Sequence, residues 1–189
     1  NVATLEVHDR IAHMGGLVFN VTTAQNANID VLTLGVPAAR IGSADYGDLQ
    51  WWLEVYTAGG ATASNMTATA TFDDGSTGAL GVLPVGGTLG ASRLYSLDAL
   101  RTTAQQARHI RGITTAALSA STGTAGSWGI TVTRPRAKLA MPLANMMWQA
   151  TWEATGLSEV PNDSCLFPII LPTTTSSGTL RGGGKIIHG

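Results

Sequence analysis

Met66-Thr67-Ala68-Thr69-Ala70-Thr71-Phe72-Asp73-Asp74-Gly75-Ser76-Thr77-Gly78 is the stretch that sets the fold class. Met66, Ala68, Ala70 and Phe72 alternate with Thr67, Thr69, Thr71 and Asp73. Successive side chains of a strand point to opposite faces, so a period of two predicts a half-buried strand with its apolar side inward. Asp73-Asp74-Gly75-Ser76-Thr77-Gly78 then supplies a turn: Asp and Ser side chains bond nearby backbone N–H groups, and Gly tolerates a left-handed backbone. The short apolar run Ala79–Leu83 follows.

The same period recurs along the chain. Leu53 and Val55 alternate with Trp52, Glu54 and Tyr56; Trp128, Ile130 and Val132 alternate with Gly129, Thr131 and Thr133; Leu17, Phe19 and Val21 alternate with Val18, Asn20 and Thr22. Gly15-Gly16, Gly59-Gly60 and Gly86-Gly87 mark reversals. Ser121-Thr122-Gly123-Thr124-Ala125-Gly126, between the Ile113–Ala120 run and the Trp128 strand, reads as a hairpin loop. About seven or eight short strands at this spacing predict an all-β fold, an antiparallel β-sandwich or jelly roll.

Two stretches depart from that period. Leu97, Leu100, Ala104 and Ala107 share one face of a possible helix over Leu97–Arg108. Asn145–Thr155 reads as another, with Trp148 and Trp152 at i,i+4 and Gly156 placed to end it. From Pro172 onward, Thr173-Thr174-Thr175-Ser176-Ser177-Gly178 and Gly182-Gly183-Gly184 bury too little apolar area to fold alone, yet Ile186-Ile187 follow. The expected division is an N-terminal arm (1–16), a sandwich domain (17–171) and an extended C-terminal arm (172–189). Val2–His13 and Leu180–His188 are the segments expected to reach a neighbouring subunit.

Charge carries the functional inference. Asp, Glu, Lys and Arg make up 12% of the 189 residues, against about 25% in an ordinary soluble domain. With 23 glycines and abundant Thr and Ala, the chain does not build an unusually heavy core. A partner covering part of the surface explains the deficit better, since interface cores are depleted in charge. The net charge of −1 and pI near 6.4 leave no electrostatic footprint for nucleic acid or an anionic membrane. Arg93, Arg101, Arg108 and Arg111 fall in one stretch and are read as a solvated face or inter-subunit salt bridges. Mean hydropathy is +0.16, but no apolar run approaches the roughly 20 residues that span a bilayer. No basic segment with an apolar stretch opens the sequence, so no secretory leader is expected within it.

The chemistry-bearing residues are sparse. Cys165 is the single cysteine and is expected as a small buried side chain beside Leu166 and Phe167. His8, Asp9 and His13 form the one histidine cluster, and two histidines five apart share neither a strand face nor a helix face. With Arg10 they are read as a hydrogen-bonded tether, and no metal is expected. Asp73-Asp74-Gly75 lacks the alternating acidic positions and distal Glu of a calcium loop. In Gly182-Gly183-Gly184-Lys185, Ile186 stands where a phosphate loop needs Ser or Thr. There is no Gly-x-Ser-x-Gly elbow, and Glu54 with Asp45 or Asp48 makes no assured glycosidase pair. No catalytic residue and no cofactor are expected. Trp51, Trp52 and Tyr56 lie on or beside one strand, so at least one large aromatic points away from the core. Such a residue anchors a partner, stacks on a sugar, or fills a second buried face.

Several stretches in combination resemble a group of tailed-bacteriophage structural proteins: His8-Asp9-Arg10-Ile11 followed by Gly15-Gly16-Leu17, and Ser121–Gly126 followed by Gly129 and Arg134-Pro135. Thr155-Gly156-Leu157, Cys165-Leu166 and His188-Gly189 fit the same pattern, while Leu97–Arg111 departs from it by being longer and more helix-like. The resemblance implies a non-enzymatic virion protein, made in the bacterial cytoplasm and placed on the outer surface of the head as a decoration or cement protein. It would partner itself, as a dimer or trimer, and a major capsid protein, with no nucleic acid, membrane or small-molecule ligand. Trp51, Trp52, Tyr56, Ile186 and Ile187 are then the interface candidates. The alternatives are a receptor- or glycan-binding module on head or tail, and a connector or tail component.

Overall fold

The computed structural model describes residues 3–87, 89–141, 147, 149, 151, 153–155 and 160–173. Ten strands run in chain order: β1 (Ala3–Leu17), β2 (Gln25–Asp30), β3 (Gln50–Thr57), β4 (Ser64–Phe72), β5 (Thr77–Ala79), β6 (Leu83–Val85), β7 (Arg93–Ser96), β8 (Ile110–Leu118), β9 (Ser127–Met141) and β10 (Leu166–Pro172). They form two antiparallel sheets. Sheet I has the order β10-β1-β9-β3-β7; sheet II has β2-β8-β4-β5, with β6 also on β4. Because β5 and β6 pair with successive stretches of the same side of β4, they are one strand interrupted at Leu80–Val82.

The pairing is nested. The first strand pairs with the ninth, the second with the eighth, the third with the seventh, and the fourth with the interrupted fifth and sixth. A long hairpin rolled up across two layers gives this order, which is the jelly roll among the two expected architectures. The alternation read from sequence sets its core. Met66, Ala68, Ala70 and Phe72 from sheet II meet Trp51, Leu53, Val55, Trp128, Ile130 and Val132 from sheet I, all at most 2% exposed.

Nesting sends the connections to two ends. At one, β1–β2, β3–β4, β6–β7 and β8–β9 interlock by backbone: Phe19 N–H donates to Ala125 O at 2.6 Å, Thr122 N–H to Phe19 O at 3.0 Å, and Gly87 N–H to Gly60 O at 3.0 Å. Gly60 is forced by this closeness, since a Cβ there would lie 1.9 Å from the carbonyl oxygen of Thr122. The other end gathers β2–β3, β4–β5 and β7–β8.

Several expectations change. Residues 3–16 are not an arm: they form most of β1, held between β9 and β10, and so belong to the sandwich. Strand pairing over 15 residues outweighs what looked like a short tether. The Leu17–Thr22 alternation is not a strand, because β1 ends at Leu17. Phe19 is nevertheless buried, stacked on Trp128 with ring centroids 5.6 Å apart. Ser121–Gly126 is not a hairpin loop, for it carries the chain from β8 in sheet II to β9 in sheet I. Leu97–Arg108 forms two 3-10 turns, Asp98–Leu100 and Thr103–Gln105, instead of a helix. Leu97 is fully buried and its N–H donates to Trp51 O at 2.8 Å, which fixes the segment to β3 before a helix can extend. Pro37 starts one short helix, α1 (Ala38–Ile41), that the periodicity did not announce. Glu153–Thr155 is a 3-10 turn; the rest of the Asn145–Thr155 prediction, apart from isolated positions, lies outside the described residues. Of the C-terminal arm only Pro172, the end of β10, and Thr173 are described. No helix among the described residues is long and apolar enough to cross a membrane.

The interlocked end makes a direct test. Gly60→Ala is expected to destabilise by about 1–3 kcal/mol or more through overpacking against backbone. Gly90→Ala, whose Cβ would meet nothing closer than 3.8 Å, should stay within about 0.5 kcal/mol of the parent. Urea unfolding of the two variants measures the contrast.

Candidate functional site

Alternation on β1, β3 and β9 that sends apolar side chains inward sends polar ones outward, and around the middle of sheet I several of those outward side chains are themselves covered. His8, Thr131 and Thr133 are 0% exposed, and Trp52 is 9% exposed. Burying such groups is tolerated only with hydrogen-bond partners, and they have them. Trp52 Nε1–H donates to Thr133 Oγ1 at 2.9 Å. Thr133 Oγ1 lies 2.9 Å from His8 Nδ1, and His8 Nε2 lies 3.0 Å from Glu6 Oε2. The neutral tautomer with hydrogen on Nε2 satisfies all of them: Thr133 O–H donates to Nδ1, and Nε2–H donates to Glu6. Beside it, Thr131 Oγ1–H donates to Glu54 Oε2 at 2.5 Å, and Arg10 Nη2 donates to both Glu54 oxygens at 3.0 and 3.2 Å. The Arg10 guanidinium sits 4.7 Å from the centroid of the Phe167 ring.

Thr133, His8 and Glu6 follow the order hydroxyl, imidazole, carboxylate, a grouping the sequence did not reveal because Thr133 lies 125 residues from His8. With Thr133 and His8 wholly buried, no substrate carbonyl reaches that hydroxyl.

Asp9 points to the other side of β1 and is also fully buried. Its carboxylate accepts from Arg40 Nη2 at 2.7 Å and Nε at 3.0 Å, Arg136 Nη2 at 3.1 Å, Ser164 Oγ at 3.0 Å and Cys165 N at 2.9 Å. One carboxylate thus ties β1 to α1, to β9 and to the segment entering β10. The tether read from His8, Asp9 and Arg10 is therefore present, but as an internal lock. Cys165 joins it through its backbone, and its side chain is exposed, not buried as expected.

The aromatic trio is not an open face. Trp51 is in the core, its Nε1–H donating to Ile110 O at 2.8 Å. Trp52 closes the polar layer of sheet I. Tyr56 is half-buried, its ring edge-on to His13 with centroids 5.7 Å apart. Burial, with the Glu54 charge adding to it, pushes the Tyr56 hydroxyl up to about 12. Second-layer burial is thus the outcome for this cluster. Ile186 and Ile187 lie outside the described residues. Arg111 and Arg108 pair within the chain, with Asp30 and Asp74. Among the described residues no three His, Cys, Asp or Glu side chains converge on one point.

Two clefts remain. One, about 560 Å³, is lined by Trp52, Arg93, Leu94, Ile169, Ile170 and Leu171 among others. Both edge strands of sheet I, β7 and β10, line it, so the sheet curls its outward face into a trough. Ile170 and Leu171 are 45% and 38% exposed, and among the described residues β10 has no strand on its outer side. The other cleft, about 300 Å³, lies at the end opposite the interlocked loops, between the β2–β3 and β7–β8 connections. Tyr46, Gln50, Trp52, Ser96, Asp98, Arg101 and His109 are among the residues that line it. Asp98 Oδ2 accepts the Trp51 N–H at 2.7 Å, and burial pushes its carboxyl above the ordinary carboxylate range despite that bond.

Two titrations follow from the buried layer. Burial holds His8 below its ordinary value of 6.5, against the opposing pull of Glu6. The unfolded chain therefore takes up that proton first, so the His8 contribution is whole above 6.5 and drains as pH falls below it. Burial alone would raise Asp9, but Arg40, the Cys165 N–H, Arg136 and Ser164 together hold it below 3.8, so its contribution is lost only as pH falls under that value. Chemical denaturation against pH should show these two descending steps, and His8→Gln should erase the upper one. Asp9→Asn should cost about 3–5 kcal/mol at neutral pH, because two buried guanidinium groups lose their counter-charge.

With this geometry in hand, comparison with known proteins gives no match to a protein-family model, to a curated protein or to a solved structure.

Proposed function

We propose that this chain is a non-enzymatic structural protein of a tailed-phage virion, a decoration or cement protein that stabilises the head by binding over its subunits. The observation that carries the reading is the β10 edge, on whose outer side no strand of the described residues pairs. Ile170 and Leu171 stand exposed on the edge strand of sheet I as the described residues form it, in a chain with 12% charged residues. Edge strands open to solvent are normally blunted by charge, proline or cover, since an open edge pairs with another chain; β10 carries Pro168 and Pro172, which leave residues 169–171 as its pairing stretch. Among the described residues β10 carries no Asp, Glu, Lys or Arg at all.

Three further observations support it. Jelly rolls serve viral capsids and lectins as well as cupins, although fold alone does not assign function. The hydroxyl–imidazole–carboxylate group of sheet I is sealed, which removes the most enzyme-like arrangement in the molecule. The trough beside β10 offers a partner both apolar side chains and a strand edge, the two components of β-augmentation. The mechanism is linkage: a protein that binds only the assembled shell stabilises it in proportion to its affinity. Joining two or three protomers raises the effective affinity by roughly 10²–10⁴ with no new kind of contact.

Ile170→Lys tests the edge. At an exposed position the substitution should change folding stability by less than about 0.5 kcal/mol, while weakening self-association or head binding at least about tenfold. Native mass spectrometry and co-sedimentation with purified heads read the two effects. A parent protein that stays monomeric and ignores heads, or a variant that assembles unchanged, contradicts the proposal.

A further inference from the structure

The cleft at the β2–β3 and β7–β8 end has a chemistry that the shell-contact reading does not use. We propose that it binds a neutral, hydroxyl-rich ligand the size of about one sugar ring. Tyr46 is its aromatic wall, and Gln50, Ser96, Asp98 and Arg101 are its hydrogen-bonding groups. This inference stands apart from the shell reading, and either can fail alone.

Size, charge and bonding capacity converge on that class. A volume of about 300 Å³ sits at the lower bound for small-molecule sites, roughly 300–1,000 Å³. Asp98 and Arg101 carry opposite charges, so an anionic ligand would face a buried carboxylate and a cationic one a guanidinium. A neutral ligand faces neither penalty. Arg101 is held by donation from Nε to Asp98 O at 3.2 Å and from Nη1 to Arg108 O. A ring bearing hydroxyls both donates and accepts, which matches a lining that mixes an acceptor (Asp98), a donor (Arg101) and groups that do both (Gln50, Ser96). The apolar faces of such a ring suit the flanking Tyr46 and Trp52.

Two features mark the cleft as built for occupancy. Gln50 Oε1 is buried without a hydrogen-bond partner. The terminal torsion of a glutamine is soft, so a small rotation turns that amide into the cleft, where a ligand hydroxyl supplies the missing donor. Tyr46 has a left-handed backbone (φ 64°), uncommon for a residue with a side chain. Its N–H donates to Ser43 O at 3.0 Å, and its carbonyl accepts from Leu49 N–H at 3.1 Å. Ser43 and Asp48 bond each other reciprocally at 3.0 and 3.3 Å, clamping the loop. Strained backbone held by its surroundings concentrates at ligand clamps.

The test is a ¹H–¹⁵N titration of the full chain with glucose, galactose, mannose, rhamnose and N-acetylglucosamine, with sodium phosphate as the anion control. At least one sugar should shift the amides of Tyr46, Gly47, Gln50 and Ser96 with millimolar affinity, and phosphate should not. Chitotriose against N-acetylglucosamine separates a single terminal ring from a longer chain as the source. Gln50→Leu removes the unpartnered oxygen at similar volume. It should melt no lower than the parent while losing about tenfold or more in sugar affinity. If that variant fails to fold, Ser96→Ala, which removes another hydrogen-bonding group of the cleft, gives the same readout. Absence of shifts with every sugar, shifts equal to those of phosphate, or sugar binding that both variants leave unchanged overturns the proposal.

Discussion

The structure depends on a chain start that is not at an edge. β1 lies between β9 and β10, so the innermost pairs of sheet I join residues from the two halves of the sequence. Asp9 secures that arrangement. A buried carboxylate is tolerable only when its charge is met and its lone pairs are filled. Here the groups that do this come from positions 31, 127 and 155 residues away. No local segment can satisfy Asp9 by itself, so the lock closes only when the hairpin has rolled into its nested form. Buried ion pairs are weak as sources of stability but well suited to selecting one arrangement over others, and a jelly roll has many competing strand registers to exclude.

From that constraint follows the division of the molecule into differently used surfaces. One end is closed by backbone bonds among glycine-rich connections. The outward face of sheet I carries a hydrogen-bonded layer in which Trp52, Thr133, His8 and Glu6 satisfy one another. Accessible groups with a binding chemistry lie along the β10 trough and in the cleft at the far end. Scarcity of charge therefore reflects two causes at once. A second buried layer absorbs several ionisable groups into internal pairs, and β10, the edge strand among the described residues, carries no charge.

The fold class was legible because its signal is local. Met66 to Phe72 and Trp128 to Val132 each place alternate side chains in one core, and period two reports that without any knowledge of pairing. Partners were not legible, for the opposite reason. Ser121–Gly126 has the composition of a hairpin loop, and nothing in it says that the next strand joins the other sheet. Leu17, Phe19 and Val21 alternate, yet Phe19 is buried by a turn. The aromatic trio misled in the same way: alternation correctly put Trp52 on the face away from the core, but a second buried layer there depends on Thr133, distant in sequence. The end cleft combines two connections and shows no motif at all.

The central claim is that neighbours cover part of this surface on a phage head. On the proposed reading a phage encodes the chain, and the most direct measurement is immunogold labelling of its intact particles, with proteomics of the same preparation. The account predicts the protein in stoichiometric amounts and label on the outer surface of the head. Particles that lack the protein, or label confined to the tail or neck, would contradict it.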